Sequence, residues 1–248
     1  MKCLIAISSC WDFEKNGNNA ALRDTWLQDV KQYPELDYKF FVGRGQGAES
    51  ADLPDDCVFL PEVDDGYGFL TYKTQSSLRW AHERGYEFIF RCFPDTYVRV
   101  NRLMHSGFEA HDYHGDFRSE EGGRTNGGTG VFRPTLQQAQ NYASGGAGYW
   151  LSRRAFELLL HAPITGIWRD EITVYAEDLW VGNILGRSKL KLDYFDDNRF
   201  CNHGSHFWPQ PNGCLISSHM SCPDRYYKEM MYAAHEPWNR EGAPPGNS

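Results

Sequence analysis

Several short stretches of this 248-residue chain carry side chains whose types and spacing could do chemistry. Asp95 follows Phe93 and Pro94 and precedes Thr96-Tyr97-Val98. A carboxylate there could hold a divalent cation, because hard cations take few protein oxygens when a substrate diphosphate supplies the rest. It could equally be a turn aspartate after proline. Glu177 and Asp178 adjoin at the start of a helical pattern. The helix dipole alone favours acids in that place, and a carboxylate there could also take a proton from an attacking hydroxyl. Gly145, Gly146 and Gly148 precede Ser152, a helix-capping residue. Glycines permit close backbone approach to a ligand or simply a tight turn, and a helix start favours an anionic or hydroxyl-rich ligand. His219 follows Ile216-Ser217-Ser218, with His203 and His206 in a Gly/Pro-rich stretch before it. Each could be a metal ligand or a structural hydrogen-bonder. Arg23 and Lys73 could meet phosphate, and Asp65 a nucleotide; all three could instead stabilise the fold. Trp26 and Tyr67 read as core and loop packing.

These residues need elements to position them. The apolar run 3–8 reads as a buried strand. Asn18 or Asn19 can cap a helix running to about residue 31, with Ala21, Leu22, Trp26, Leu27 and Val30 at helical spacing. Strands are expected at 38–42, 56–60 and 87–90, an acidic, Gly-rich loop at 61–69, and a helix at 70–84. Such alternation predicts parallel strands with crossover helices in a single α/β domain. Ligands in these sheets lie beyond the carboxyl ends of the strands, which puts residues 91–97 where chemistry belongs. A more irregular half follows. It has strands near 129–133, 190–195 and 214–217, and a segment 147–151 leading into a helix 152–160 capped by Ser152. Helices are expected at 177–185 and 223–234. The domain spans residues 1–235, and the proline-bearing 236–248 is expected to be a disordered tail.

Five blocks, in order, resemble glycosyltransferase family 31, the family of β1,3-galactosyltransferases, Fringe and core 1 synthase. They are Arg23-Asp24-Thr25-Trp26; Asp65-Gly66-Tyr67-Gly68-Phe69-Leu70-Thr71-Tyr72-Lys73; Phe93-Pro94-Asp95-Thr96-Tyr97-Val98; Ser144-Gly145-Gly146-Ala147-Gly148-Tyr149-Trp150-Leu151-Ser152; and Glu177-Asp178-Leu179-Trp180-Val181-Gly182. The resemblance runs from the first strand to about Ala234. It implies a GT-A-type nucleotide-sugar transferase fold with a mostly parallel central sheet. The implied reaction is inverting transfer of a galactose-type hexose from a UDP-sugar to an acceptor hydroxyl, forming a β-linkage. The implied cofactor is Mn²⁺ or Mg²⁺, and the acceptor is a glycan, glycoprotein, lipid or small molecule. Carried over residue by residue, the resemblance makes Asp95 and His219 metal ligands and Asp178 the general base, with Glu177 the runner-up. It makes Gly145 and Gly146 part of the donor pocket, while Arg23, Asp65 and Lys73 are donor contacts expected from the residues themselves. One departure stands out. Phe93 and Pro94 replace two of the family's three consecutive acids, which implies a weaker or water-mediated hold on the metal.

Composition limits the partners. The formal net charge is −8 and no more than two basic residues adjoin, which argues against polyanionic partners such as nucleic acid. No stretch reaches the roughly 20 apolar residues that cross a bilayer. Residues 1–10 read as a strand and not as a signal peptide, so a cytoplasmic protein is expected, although a chain trimmed of an anchor would read the same. The seven cysteines fit no zinc spacing. Free thiols are expected, with Cys3, Cys57 and Cys92 in the core, while Cys201, Cys214 and Cys222 could pair in an oxidising compartment. Two other functions compete with transfer to a sugar or protein. One is a transferase acting on modified nucleobases of viral DNA. The other is a catalytically inactive sugar-binding relative, motivated by the missing acids.

Overall fold

The computed structural model describes residues 1–45, 47, 52–118, 130–132, 142–164, 167–169, 172–174, 176–201, 215–220 and 227–240. His203, His206, Cys214, Cys222 and residues 241–248 lie outside the described residues. The five described cysteines, Cys3, Cys10, Cys57, Cys92 and Cys201, are free thiols.

The chain begins with β1 (Cys3–Ser8), α1 (Trp11–Lys15) and α2 (Asn18–Asp24), a 3₁₀ helix (Trp26–Gln32), β2 (Leu36–Arg44), β3 (Cys57–Asp64), α3 (Leu70–Glu83), β4 (Phe88–Cys92) and β5 (Thr96–Val98). Next come α4 (Val100–Met104), β6 (Tyr113–Gly115), β7 (Phe117–Arg118), β8 (Gly130–Phe132), β9 (Tyr142–Ala143), β10 (Tyr149–Ser152) and α5 (Arg153–Phe156). It closes with β11 (Ile167–Arg169), β12 (Ile172–Val174), α6 (Glu177–Gly186), β13 (Tyr194–Asp196), β14 (Phe200–Cys201), β15 (Ser217–His219) and α7 (Tyr227–Arg240).

Eight strands make the central sheet, in the order β3-β2-β1-β4-β10-β6-β13-β8. The first four are mutually parallel, and the β6–β13 pair is parallel too. β10 runs antiparallel between β4 and β6, and β8 antiparallel at the far edge. The architecture is therefore mixed α/β with a mostly parallel sheet, as the strand–helix alternation predicts. β1 is buried along its whole length, which explains why it reads as an unbroken apolar run. Its side chains alternate between two cores. Cys3, Ile5 and Ile7 join one with Leu22, Trp26 and Phe90, while Leu4 and Ala6 join the other with Leu78, Tyr149 and Val181.

Three boundaries depart from the sequence reading for local reasons. The single helix expected from residue 18 to 31 breaks at Thr25 into α2 and the 3₁₀ helix. The Thr25 hydroxyl donates back to the Ala21 carbonyl at 2.6 Å, a bond that competes with the helical ladder. β3 runs on through Pro61 to Asp64, where composition points to a loop. β3 lies at the sheet edge, where proline's missing N–H costs no ladder bond. At the end of the chain α7 continues through Pro237 to Arg240, past the helix end expected at 234. A proline forfeits one bond of a helix, and this one is anchored earlier by buried Met231 and Ala234.

Candidate active site

A cleft of about 420 Å³ opens beyond the carboxyl ends of β1 and β4. It is lined from β1 by Ser8 with Ser9 and Cys10, and from the segment after β4 by Phe93, Pro94 and Asp95. Asp65, Tyr67 and Lys73 close one side; Ser144, Gly146, Asp178 and His219 close the other. Of the residues singled out in the sequence as ligand, donor or catalytic groups, the fold thus brings together Asp65, Lys73, Asp95, Gly146, Asp178 and His219.

Asp95 and His219 are 124 positions apart, and the sheet explains their meeting. β15 pairs antiparallel with β5, setting His219 opposite Thr96, and the Met220 N–H donates to the Asp95 carbonyl at 2.7 Å. The His219 Nε2 then lies 3.1 Å from Asp95 Oδ2. Asp95 Oδ1 is buried and has no hydrogen-bond partner among the described residues. Two ligand atoms each about 2.1 Å from one cation, at right angles, stand about 3.0 Å apart. Asp95 and His219 are hydrogen-bonded to each other at the cleft, and a divalent cation held by them would take its other ligands from a substrate and water. Among the described residues no group of three or more His, Cys, Asp or Glu side chains is arranged for a metal.

Asp178 begins α6 beside Glu177, yet the two carboxylates have different surroundings. Asp178 lines the cleft. Its Oδ1 accepts the Leu179 N–H at 2.9 Å and its Oδ2 the Gly145 N–H at 3.2 Å. A carboxylate offers about four lone-pair positions, so two remain for a proton or a hydroxyl. Burial raises the Asp178 pKa above the usual carboxylate value, against the lowering effect of these N–H groups and of Arg91. Glu177 is fully buried beneath the cleft, accepts the Tyr149 hydroxyl and sits 3.1 Å from the Arg91 guanidinium. Burial pushes its pKa up to about 7, with Arg91 pulling the other way. Glu177 does not line the cleft, so of the two acids only Asp178 can face an acceptor.

The glycines serve the backbone more than a ligand. Gly146 lines the cleft, and its carbonyl accepts the Thr96 hydroxyl at 2.9 Å, which ties the glycine turn to the Asp95 segment. A Cβ on Gly145 would stand 2.8 Å from the Arg91 Nη1 and 3.0 Å from the Glu177 Oε2. Gly145 therefore lies behind the cleft wall, where the absence of a side chain lets Arg91 and Glu177 approach.

Asp65 and Lys73 line the cleft but are saturated by each other. Lys73 Nζ donates to Asp65 Oδ1 at 2.8 Å and to the Ser9 carbonyl. Asp65 also accepts the Gly43 and Trp11 N–H groups at 2.7 and 2.6 Å. This buried pair ties the carboxyl ends of β1 and β2 to the loop before α3. Arg23 is not brought to the cleft. Its guanidinium pairs with Glu14 at 2.8 Å and Asp56 at 2.7 Å and lies over the Phe40 ring. That is a fold-holding role and corrects its reading as a donor contact. Tyr67 also departs from expectation: it is 88% exposed and packs no loop. Ser8, Ser9 and Cys10 were not singled out by sequence reasoning. Neither was Arg91, although a lone charge inside the apolar strand Phe88–Cys92 is a signal that marks it.

No protein-family profile matches the chain, and no curated protein matches it in sequence. Among solved structures, similarity extends to an active-site mutant of LgtC, at 12% identity and a TM-score of 0.41, over 95% of this chain and 96% of that one. It extends to the inositol-1-phosphate CTP transferase from T. maritima, at 9% identity and a TM-score of 0.42, over 99% and 98%. The nucleoside-diphosphate-sugar pyrophosphorylase from Vibrio cholerae RC9 is similar at 13% identity and a TM-score of 0.41, over 78% and 90%. Likenesses of this size carry no argument about function.

Proposed function

We propose that this protein is a metal-dependent, inverting glycosyltransferase of GT-A type. In this reading it moves a galactose-type hexose from a UDP-sugar to a hydroxyl of a glycan, glycoprotein, lipid or small molecule. One observation carries the reading: a carboxylate held by backbone N–H groups, Asp178, faces the same cleft as the Asp95–His219 pair. The roles given to Asp95, His219 and Asp178 follow the resemblance of the five sequence blocks to family 31.

Asp178 accepts the acceptor's hydroxyl proton as the oxygen attacks the anomeric carbon, and the bond to the diphosphate breaks with its electron pair leaving on UDP. In-line attack on an α-linked donor gives a β-linked product. Asp95 and His219 are the residues that would hold Mn²⁺ or Mg²⁺, which when bound neutralises charge building on the leaving diphosphate. The Thr96 and Arg91 bonds to the Gly146 and Gly145 carbonyls hold the opposite wall in register with Asp95. The Asp65–Lys73 pair fixes the nucleotide side of the cleft while its charges stay committed to each other.

A specific observation favours a second reading, an inactive sugar-binding relative: Phe93 and Pro94 line the cleft where the family pattern has acids. Incubating the protein with UDP-galactose, with and without Mn²⁺, separates the two. Metal-stimulated release of UDP is expected of the transferase. Saturable binding with no release under any metal condition would establish the second reading.

A further inference from the structure

The most unusual group outside the cleft lies directly behind it. Arg91, on β4, is fully buried. Its guanidinium stacks over the Phe93 ring at 3.6 Å, Nη1 donates to the Gly145 carbonyl at 3.3 Å, and Nη1 stands 3.1 Å from Glu177 Oε2. Among the described residues Nε and Nη2 have no hydrogen-bond partner. Burying a cation that leaves donors unmet costs several kcal/mol, so a fold that needed only packing here would place an apolar residue at position 91. What the charge reaches is the back of the site. The residue whose carbonyl Arg91 holds, Gly145, gives its N–H to Asp178. Glu177, beside Arg91, is the neighbour of Asp178 on α6 and accepts the hydroxyl of Tyr149 from β10.

We propose that Arg91, acting with Tyr149 and Glu177, is a buried positioning group that keeps Asp178 ionised and aimed into the cleft. This rests on the reading of Asp178 as the general base. The guanidinium places a positive charge behind a carboxylate that burial would otherwise drive towards its neutral form. A neutral Asp178 could not accept a proton. The bond to the Gly145 carbonyl fixes the peptide group that orients Asp178. Glu177 is the countercharge that can switch off: protonated, it leaves the cation to Asp178 alone, and ionised, it shares it. The titratable groups facing the two acids are Arg91 from β4, Tyr149 from β10 and Tyr113 from β6. From α3 the neighbouring cation, Lys73, is committed to Asp65 and Ser9.

The test reads the carboxylate itself. Protein carrying ¹³C-labelled aspartate is titrated by NMR, with the Asp178 signal assigned by its absence from Asp178→Asn. Arg91→Met should raise the Asp178 proton affinity roughly tenfold, the scale of losing an adjacent cation, and Arg91→Lys should recover most of that change. Glu177→Gln keeps the acceptor for Tyr149 and leaves Arg91 facing Asp178 alone, so it must not raise the midpoint. General loosening of the site would raise it in both Arg91→Met and Glu177→Gln, and that outcome overturns the proposal, as does an unmoved midpoint in Arg91→Met. If Arg91→Met does not fold, Arg91→Lys and Glu177→Gln decide: an Asp178 midpoint raised tenfold or more in Arg91→Lys, or raised at all in Glu177→Gln, overturns it. UDP-galactose turnover is scored separately. An inactive wild-type protein with the predicted midpoints removes the transferase reading and leaves the coupling standing, and an active one with unmoved midpoints does the reverse.

Discussion

At the scale of single residues, the proposed chemistry rests on side chains whose surroundings differ more than their types. Asp95, Asp178, Glu177 and Asp65 are all carboxylates within one small region, and the fold gives each a different task. Asp65 is neutralised by Lys73 and accepts the Trp11 and Gly43 N–H groups, so it holds the fold. Glu177 is sealed against Tyr149 and Arg91. Asp178 and Asp95 line the cleft. Asp95→Ala is expected to abolish the metal-dependent part of UDP binding, so that affinity measured by calorimetry with Mn²⁺ falls to its metal-free value. Retained metal stimulation would show that Asp95 is not a ligand. With only Asp95 and His219 offered, wild-type affinity for the metal should be modest, and excess metal should increase turnover.

At the scale of elements, the site depends on a turn. Gly148 has φ +82, a left-handed conformation, and a Cβ there would stand 2.4 Å from Phe90 Cζ. Gly148→Ala should cost about 2–4 kcal/mol from overpacking and backbone strain together. A Tm within a degree of wild type would refute the claim that this turn is tightly seated on β4. The same turn marks how far the sequence could be read. The regular first half was legible because β1, β2 and β4 are buried strands with apolar runs, and α3 has a full-length periodic pattern. Motifs at the ends of such elements drew attention to Asp95, Asp178 and His219, and the fold brings the three to one cleft. Arg23 was misread because its motif position says nothing of Glu14 and Asp56, which reach it from α1 and from the residue before β3. Glu177 and Asp178 were not separable in sequence, since adjacent positions at a helix start point in different directions and only the packing of α6 decides which is sealed. The short strands β5, β6 and β14 were missed because two or three residues carry no periodicity, and their pairing is set by partners far along the chain.

At the scale of the whole molecule, two buried acids pull the pH dependence of stability in opposite directions. Burial alone would raise the Asp197 pKa, but His114 and Arg199, both bonded to it, hold it well below the usual carboxylate value. Asp197 contributes stability above its unfolded value, lost as pH falls towards its folded one. Glu177, raised by burial from 4.5 to about 7, binds its proton more tightly in the folded state. Its contribution is fully present below the unfolded value and is lost as pH rises through about 7. Stability should therefore peak in mildly acid solution. Glu177→Gln, which cannot ionise, should lose less of its Tm than wild type between about pH 5 and pH 8. Parallel melting curves across that range would show that Glu177 does not titrate there. Among the described residues no helix is long and apolar enough to cross a membrane. The central claim, inversion driven by Asp178, is tested most directly by ¹H NMR of the first sugar released from α-linked UDP-galactose with Mn²⁺ and water as acceptor. Wild type and Asp178→Asn are followed side by side, before the free sugar's anomers interconvert. The β anomer is expected from wild type, and a rate about 10²–10⁴-fold lower from Asp178→Asn, with UDP affinity unchanged. An α product, or an Asp178→Asn variant that turns over like wild type, would contradict it.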